Sequence, residues 1–244
     1  MNYLIEIKYD GKGYHGWQLQ SNADTVQQRV EQACERLFCE KISVNGCSRT
    51  DTGVHANGFV ASFHAQKVLN TKNVISGLNN FLPDDIAVFS AKYVPDDFHA
   101  RFSCKSKEYL YKIYNSQIRN PFFSGRALIY HTPIDIELLN KNAADFIGTH
   151  DFTSFRAEGS DVKTTVRTVK KAYFTSDGDG VFTFHVEADG FLYNMVRIMV
   201  GTLLYIQEGK IENGSIPSVI ESKDRRKAGK TVPPDGLYLN KVYY

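Results

Sequence analysis

Two short strings gather residue types that do chemistry. The first, Gly11-Lys12-Gly13-Tyr14-His15-Gly16, has the Gly-x-Gly-x-x-Gly spacing of a dinucleotide-binding loop and follows a strand-like run. That chemistry needs a helix opening at the loop, so that its N-terminus faces the pyrophosphate. Here Trp17-Gln18-Leu19-Gln20-Ser21-Asn22 intervenes, and the next helical pattern begins only near Asp24. No acidic residue stands where a ribose would require it. The string therefore reads as a flexible loop anchored by Trp17, and a nicotinamide oxidoreductase is the weaker enzyme reading. The second string is Arg49-Thr50-Asp51-Thr52-Gly53-Val54-His55-Ala56. Taken bare, it is a polar loop whose Asp51-Thr52-Gly53 suits a turn. Cys34, Cys39, Cys47 and Cys104 match neither a zinc knuckle nor a disulfide framework, so free thiols and no metal are expected.

The elements around these strings follow from periodicity. Tyr3 to Tyr9 alternates like a strand and ends at Asp10-Gly11. Asp24 or Thr25 caps a helix carrying Val26, Val30, Ala33, Cys34, Leu37 and Phe38 on one face. A strand near Gly58–His64, a helix near Asn70–Asn80 and a strand over Ile86–Tyr93 complete a β, α, β, α, β order. In the second half, Lys107–Tyr114 reads as a strand and Asp135 opens a helix to about Ile147. Val166–Thr175 and Val181–Ala188 read as a hairpin across Ser176-Asp177-Gly178-Asp179-Gly180. Asp189 is placed to cap a long helix from about Phe191 to Gln207. No Pro/Ser-rich linker parts the halves, so the expected fold is α+β, with halves 1–105 and 106–244 fused through one sheet.

Composition bounds the function. The 244 residues are 42% hydrophobic and 23% charged, which fits a globular chain with a sizeable core. The most apolar stretch, Phe191–Ile206, is broken by Asn194, Arg197 and Gly201, which argues against a membrane span. No basic-then-apolar leader precedes Tyr3, so a cytoplasmic protein is expected. With 29 Lys+Arg against 27 Asp+Glu, net charge is only +2, and a nucleic-acid partner would have to be met by local patches.

Eight strings, in order, resemble the TruA family of tRNA pseudouridine synthases. They are Lys8-Tyr9-Asp10-Gly11, Gly16-Trp17-Gln18, the Arg49–Ala56 loop, Phe98-His99-Ala100-Arg101-Phe102 and Lys107-Glu108-Tyr109-Leu110-Tyr111. Later come His150-Asp151-Phe152-Thr153-Ser154-Phe155, the run from Ala188 to Arg197, and Gly236-Leu237-Tyr238-Leu239. The resemblance spans nearly the whole chain. It departs at Cys47-Ser48, where smaller residues are usual, at Ile198 for Asn, and at Lys230 for Pro.

The resemblance implies the pseudouridine synthase fold: two ferredoxin-like or RRM-like halves sharing a mostly antiparallel central sheet, with helices on one side. It implies conversion of uridine to pseudouridine at positions 38, 39 and 40 of the tRNA anticodon stem-loop, without cofactor or metal, by a cytoplasmic homodimer. Asp51 matches the family's catalytic carboxylate, and Arg49 the arginine that enters the RNA stack as the target base swings out. Tyr109 matches the tyrosine against the uracil face. By periodicity alone Arg197 could equally lie on a solvent-facing stripe with Tyr193, Gly201 and Glu208; the resemblance makes it the cation that keeps Asp51 ionised. Backbone contacts to tRNA are expected from Lys170 and Lys171, with Lys163 and Arg167, and from Arg225 and Arg226, with Lys227 and Lys230. Arg101, Lys105 and Lys107 form a third basic group. A catalytically idle RNA-binding relative is the competing reading from another class, and it has no need of Asp51.

Overall fold

The computed structural model describes residues 1–159 and 162–244. The chain runs β1 (Asn2–Tyr9), α1 (Val26–Phe38), β2 (Asn45–Gly46), β3 (His55–His64), α2 (Thr71–Phe81) and β4 (Ile86–Val94). It continues with β5 (Ser106–Asn115), β6 (Leu128–Tyr130), α3 (Ile136–Ala144), β7 (Gly148–Asp151), β8 (Val166–Ser176) and β9 (Val181–Ala188). Helices α4 (Met195–Gln207) and α5 (Ile216–Ser222) precede the last strand, β10 (Leu237–Tyr243). Residues 1–105 with 238–244 form one compact unit and residues 106–237 another. The C-terminal residues thus belong with the first unit, where the sequence-based division assigns them to 106–244. Their pairing explains it: Tyr238 and Leu239 lie parallel to His55 and Ala56 of β3.

In the first unit, β1 lies between β3 and β4 and is antiparallel to both, while β2 and β10 share the outer edge of β3. The order β4-β1-β3-β2 is that of a ferredoxin-like half. Alternation in β1 buries Tyr3, Ile5, Ile7 and Tyr9, with Tyr3 reaching Phe38 of α1, and leaves Lys8 exposed. The Thr25 hydroxyl caps α1 by accepting from Gln28 N, and Asn70 caps α2 by accepting from Asn73 N.

In the second unit the order is β5-β9-β8-β7, antiparallel throughout, with β6 parallel to the other edge of β5. Helix α3 packs on β8 and on α4, and α4 on β5. Both units are therefore mixed α and β with mostly antiparallel strands, the class expected from sequence.

Three boundaries differ from that expectation. Helix α3 stops at Ala144 rather than near Ile147, because Asp145, Phe146 and Ile147 turn to i−3 bonds ahead of Gly148 at φ +126°. Strand β3 begins at His55, three residues early, because β1 and β10 both pair there. Helix α4 starts at Met195, not Phe191, and Asp189 does not cap it. The Asp189 carboxylate accepts from Thr168 N and its own N–H donates to Thr168 O, so it belongs to the β8–β9 hairpin. Asn194 at φ +60° breaks the apolar run just before the helix.

Candidate active site

Asp51 sits half-buried in the loop between β2 and β3. That loop is held by backbone and side-chain bonds to residues 9–17, the segment that contains the glycine string. Trp17 N donates to Thr50 O at 3.2 Å, Gly53 N to Tyr14 O at 3.2 Å, and Gly11 N to His55 Nδ1 at 3.0 Å. The Thr50 hydroxyl meets the Tyr9 hydroxyl at 2.9 Å, and both residues are buried. Two glycines of the string are dictated by this approach. A Cβ on Gly11 would stand 1.9 Å from Val54 O, and one on Gly16, at φ +81°, would stand 2.2 Å from Thr50 O. Gly13 meets nothing. The Gly-x-Gly-x-x-Gly spacing is thus a bed for the Asp51 loop and not a phosphate cradle. Trp17 anchors it as expected: it is 2% exposed and stacks on Phe59 at 4.0 Å, over Gly46. His55 is buried, 3.1 Å from Asp10 Oδ1 and stacked on Tyr238. Arg49 is solvent-exposed.

The second unit carries the other expected site residues. Tyr109 is buried on β5, and its ring meets Phe191 edge-on at 5.0 Å. Arg197, in the first turn of α4, donates from Nε to Val232 O at 2.7 Å and from Nη1 to Asn194 Oδ1 at 2.6 Å. It neighbours Tyr111, whose fully buried phenol donates to Pro233 O at 2.7 Å; burial pushes that phenol well above its ordinary value against the pull of Arg197. The solvent-stripe reading of Tyr193, Arg197, Gly201 and Glu208 fails at Arg197 and Gly201, although Tyr193 is exposed. A Cβ on Gly201 would lie 1.8 Å from Lys230 O, and Gly229 N donates to the Thr202 hydroxyl at 2.8 Å, so residues 229–232 cover that side of α4.

The basic groups are presented in unlike ways. A register shift between Val169 and Lys171 turns both Lys170 and Lys171 toward Glu187, at 3.6 and 2.9 Å. Glu187 is 6% exposed and also accepts from the Ser106 hydroxyl at 2.8 Å. Burial alone would raise its carboxyl, but Lys171 and Ser106 outweigh burial and hold it below the usual range. Arg226 is exposed and paired with Asp224 at 2.8 Å. Arg225 is spent inward, on Ala228 O, Gly229 O and the Thr231 hydroxyl, and burial lowers its guanidinium. Among the described residues no three His, Cys, Asp or Glu gather as metal ligands, and no helix is long and apolar enough to cross a membrane.

Two of the departures from the family pattern are buried and Lys230 is exposed. Cys47 is buried, with its N–H on Val60 O, and Ile198 is buried in α4. At Lys230 the backbone carbonyl crosses Gly201, a role that does not depend on the side chain. Sequence reasoning missed Asn194, which orients Arg197; its position i−3 on the same turn was the available signal.

Comparison with known proteins gives a consistent result. Residues 5–103 and 143–244 match the profile of a family described as tRNA pseudouridine synthase. The chain is 46% identical over 243 residues to tRNA pseudouridine synthase A of Acetivibrio thermocellus, covering 100% of this chain and 99% of that protein. It is 43% identical over 240 residues to tRNA pseudouridine synthase A of Ruminiclostridium cellulolyticum, covering 98% of each. It is also 45% identical to the protein of that name from a Thermoanaerobacter species, over 100% of this chain and 99% of that one.

Proposed function

The chain belongs to the tRNA pseudouridine synthase A family of isomerases, and from that premise we propose that it converts uridine to pseudouridine at positions 38, 39 and 40 of the anticodon stem-loop, with Asp51 as the catalytic carboxylate. The reaction breaks the N1–C1′ bond, turns the uracil and joins C5 to C1′. A proton leaves C5 and N1 gains one, so nothing is oxidised, hydrolysed or added. Such a rearrangement asks for a carboxylate at the sugar, a surface that retains the detached base, and an acceptor for the C5 proton.

The observation that carries the reading is the fixation of Asp51. A carboxylate on a loop tied by buried backbone bonds on both sides is preorganised, as a group acting on one carbon of a sugar must be. Tyr109 is assigned the uracil face: its ring is already held edge-on by Phe191, so stacking costs little side-chain entropy. Arg197 is assigned the charge that keeps Asp51 ionised, its fork set by Val232 and Asn194. Arg49, exposed two residues before Asp51, is assigned the vacancy left in the stack when the uridine is extruded, a step that costs a few kcal/mol.

Lys170, Lys171 and Arg226 are assigned to tRNA phosphates; Arg225, expected from sequence to share that role, is assigned instead to the turn that presents Arg226, through its bonds to Ala228 O, Gly229 O and Thr231. A homodimer and a cytoplasmic location complete the reading. The test is Asp51→Asn, nearly isosteric and uncharged, incubated with unmodified tRNA. Binding should be retained and no pseudouridine should form; turnover within tenfold of the parent would contradict the assignment.

A further inference from the structure

We propose that Tyr14 is a positioning residue for Asp51 and that Asp85 latches it in place, an inference that rests on the reading of Asp51 as the catalytic carboxylate. Tyr14 lies in the glycine loop and is 5% exposed. Its carbonyl accepts from Gly53 N, two residues beyond Asp51, while its hydroxyl donates to Asp85 Oδ1 at 2.6 Å. Asp85 stands in the turn between α2 and β4, and its own carbonyl accepts from Asp10 N at 2.9 Å. One residue distant in sequence therefore grips the glycine loop at two points, Asp10 and Tyr14.

The far end of the loop is fixed separately. His15 N donates to Asp24 O and Val26 N to Gly16 O, which ties it to the start of α1. The loop is suspended between α1 and the α2–β4 turn, and Gly53 hangs from its middle through Tyr14. Removing the phenol hydroxyl leaves both ends attached and frees only the part that sets Asp51. The bond is of the short, charge-assisted kind, roughly twice as strong as a neutral one. Burial and the Asp85 carboxylate push the phenol well above its ordinary value, so it stays a donor throughout the working pH range. Displacing a catalytic group by about 1 Å can cost on the order of a hundredfold in rate.

The experiment compares single-turnover rates at saturating enzyme with tRNA Kd, for the full chain, well below each variant's melting temperature. Tyr14→Phe and Asp85→Ala should each lower the rate about tenfold with Kd within about twofold. The double variant should lose no more than the larger single loss, because the two residues share one bond. Asp85→Asn keeps an acceptor and should recover most of the rate. Asn79→Ala serves as the stability control: Asn79 clamps Val88 at 2.7 and 2.8 Å in the same neighbourhood but does not touch the loop. It should lower the melting temperature and leave the rate unchanged. An unaltered Tyr14→Phe rate beside an inactive Asp51→Asn would overturn the latch alone, as would an equal rate loss in Asn79→Ala. An active Asp51→Asn would overturn the catalytic reading and the latch with it.

Discussion

The Asp51 loop and the Lys170–Lys171 pair are both short irregular stretches that present charge, yet they are held by opposite means. The loop is fixed by bonds from Trp17 N and Gly11 N and to Tyr14 O, at a close approach that only glycine permits at positions 11 and 16. The lysines are fixed by a bulge and by the buried carboxylate of Glu187. A group that must act on one atom needs placement that side-chain rotation cannot loosen. A group that meets a phosphate needs charge at a surface, and tolerates play. The two regions should therefore fail differently.

The largest effect is expected at the glycines. Gly16→Ala puts a side chain at φ +81° and drives it into Thr50 O, a strain of about 1–3 kcal/mol before any clash is counted. Its single-turnover rate should fall at least tenfold, with tRNA affinity much less affected. Gly13→Ala, with open space around it, should change the rate little. Equal rates for the two variants would break the comparison.

Next comes the arginine pair, which sharpens it within one turn. Arg225→Ala removes donors from Ala228 O, Gly229 O and Thr231, and should cost about 1–3 kcal/mol of stability with little change in salt dependence. Arg226→Ala should leave the melting temperature nearly unchanged and flatten the salt dependence of tRNA binding by about 0.7 in log–log slope. Replacing Lys170 and Lys171 together should flatten it by roughly twice that. Thermal melts and binding isotherms at two salt concentrations separate these outcomes.

The smallest effect is a pH dependence. Asp151 accepts from the Thr165 and Thr153 hydroxyls and pairs with Lys223 at 3.0 Å, which together hold its carboxyl well below the usual range. A carboxyl depressed in the folded state binds fewer protons there than in the unfolded chain. Its stabilising contribution is thus fully present above the unfolded value of about 4 and is lost as pH falls below it. Asp151→Asn should make the acid limb of the stability profile shallower and leave neutral activity intact. An unchanged limb would remove Asp151 from the account.

Sequence made the local elements legible and the tertiary ones not. Helix α1 was readable because a threonine cap and five buried apolar positions lie within one run. The β8–β9 hairpin announced itself through alternation and a glycine-rich turn. The start of α4 was hidden, because Phe191 and Leu192 continue the apolar pattern and periodicity cannot register Asn194 at φ +60°. Strand β10 gave no local signal of its parallel partner in β3. Asp51, Tyr109 and Arg197 were nameable only by resemblance, whereas the loop that beds Asp51 looked like a cofactor motif. Its purpose lies in distances to residues some forty positions away, as in the bond from Gly11 to His55.

The most direct test maps pseudouridine in tRNA from cells lacking the gene, then from the same cells given back the wild-type chain or Asp51→Asn. Loss of pseudouridine at positions 38, 39 and 40, restored by the wild-type chain and not by the variant, is the result predicted. Persistence of all three in the deletion, or restoration by Asp51→Asn, would contradict it.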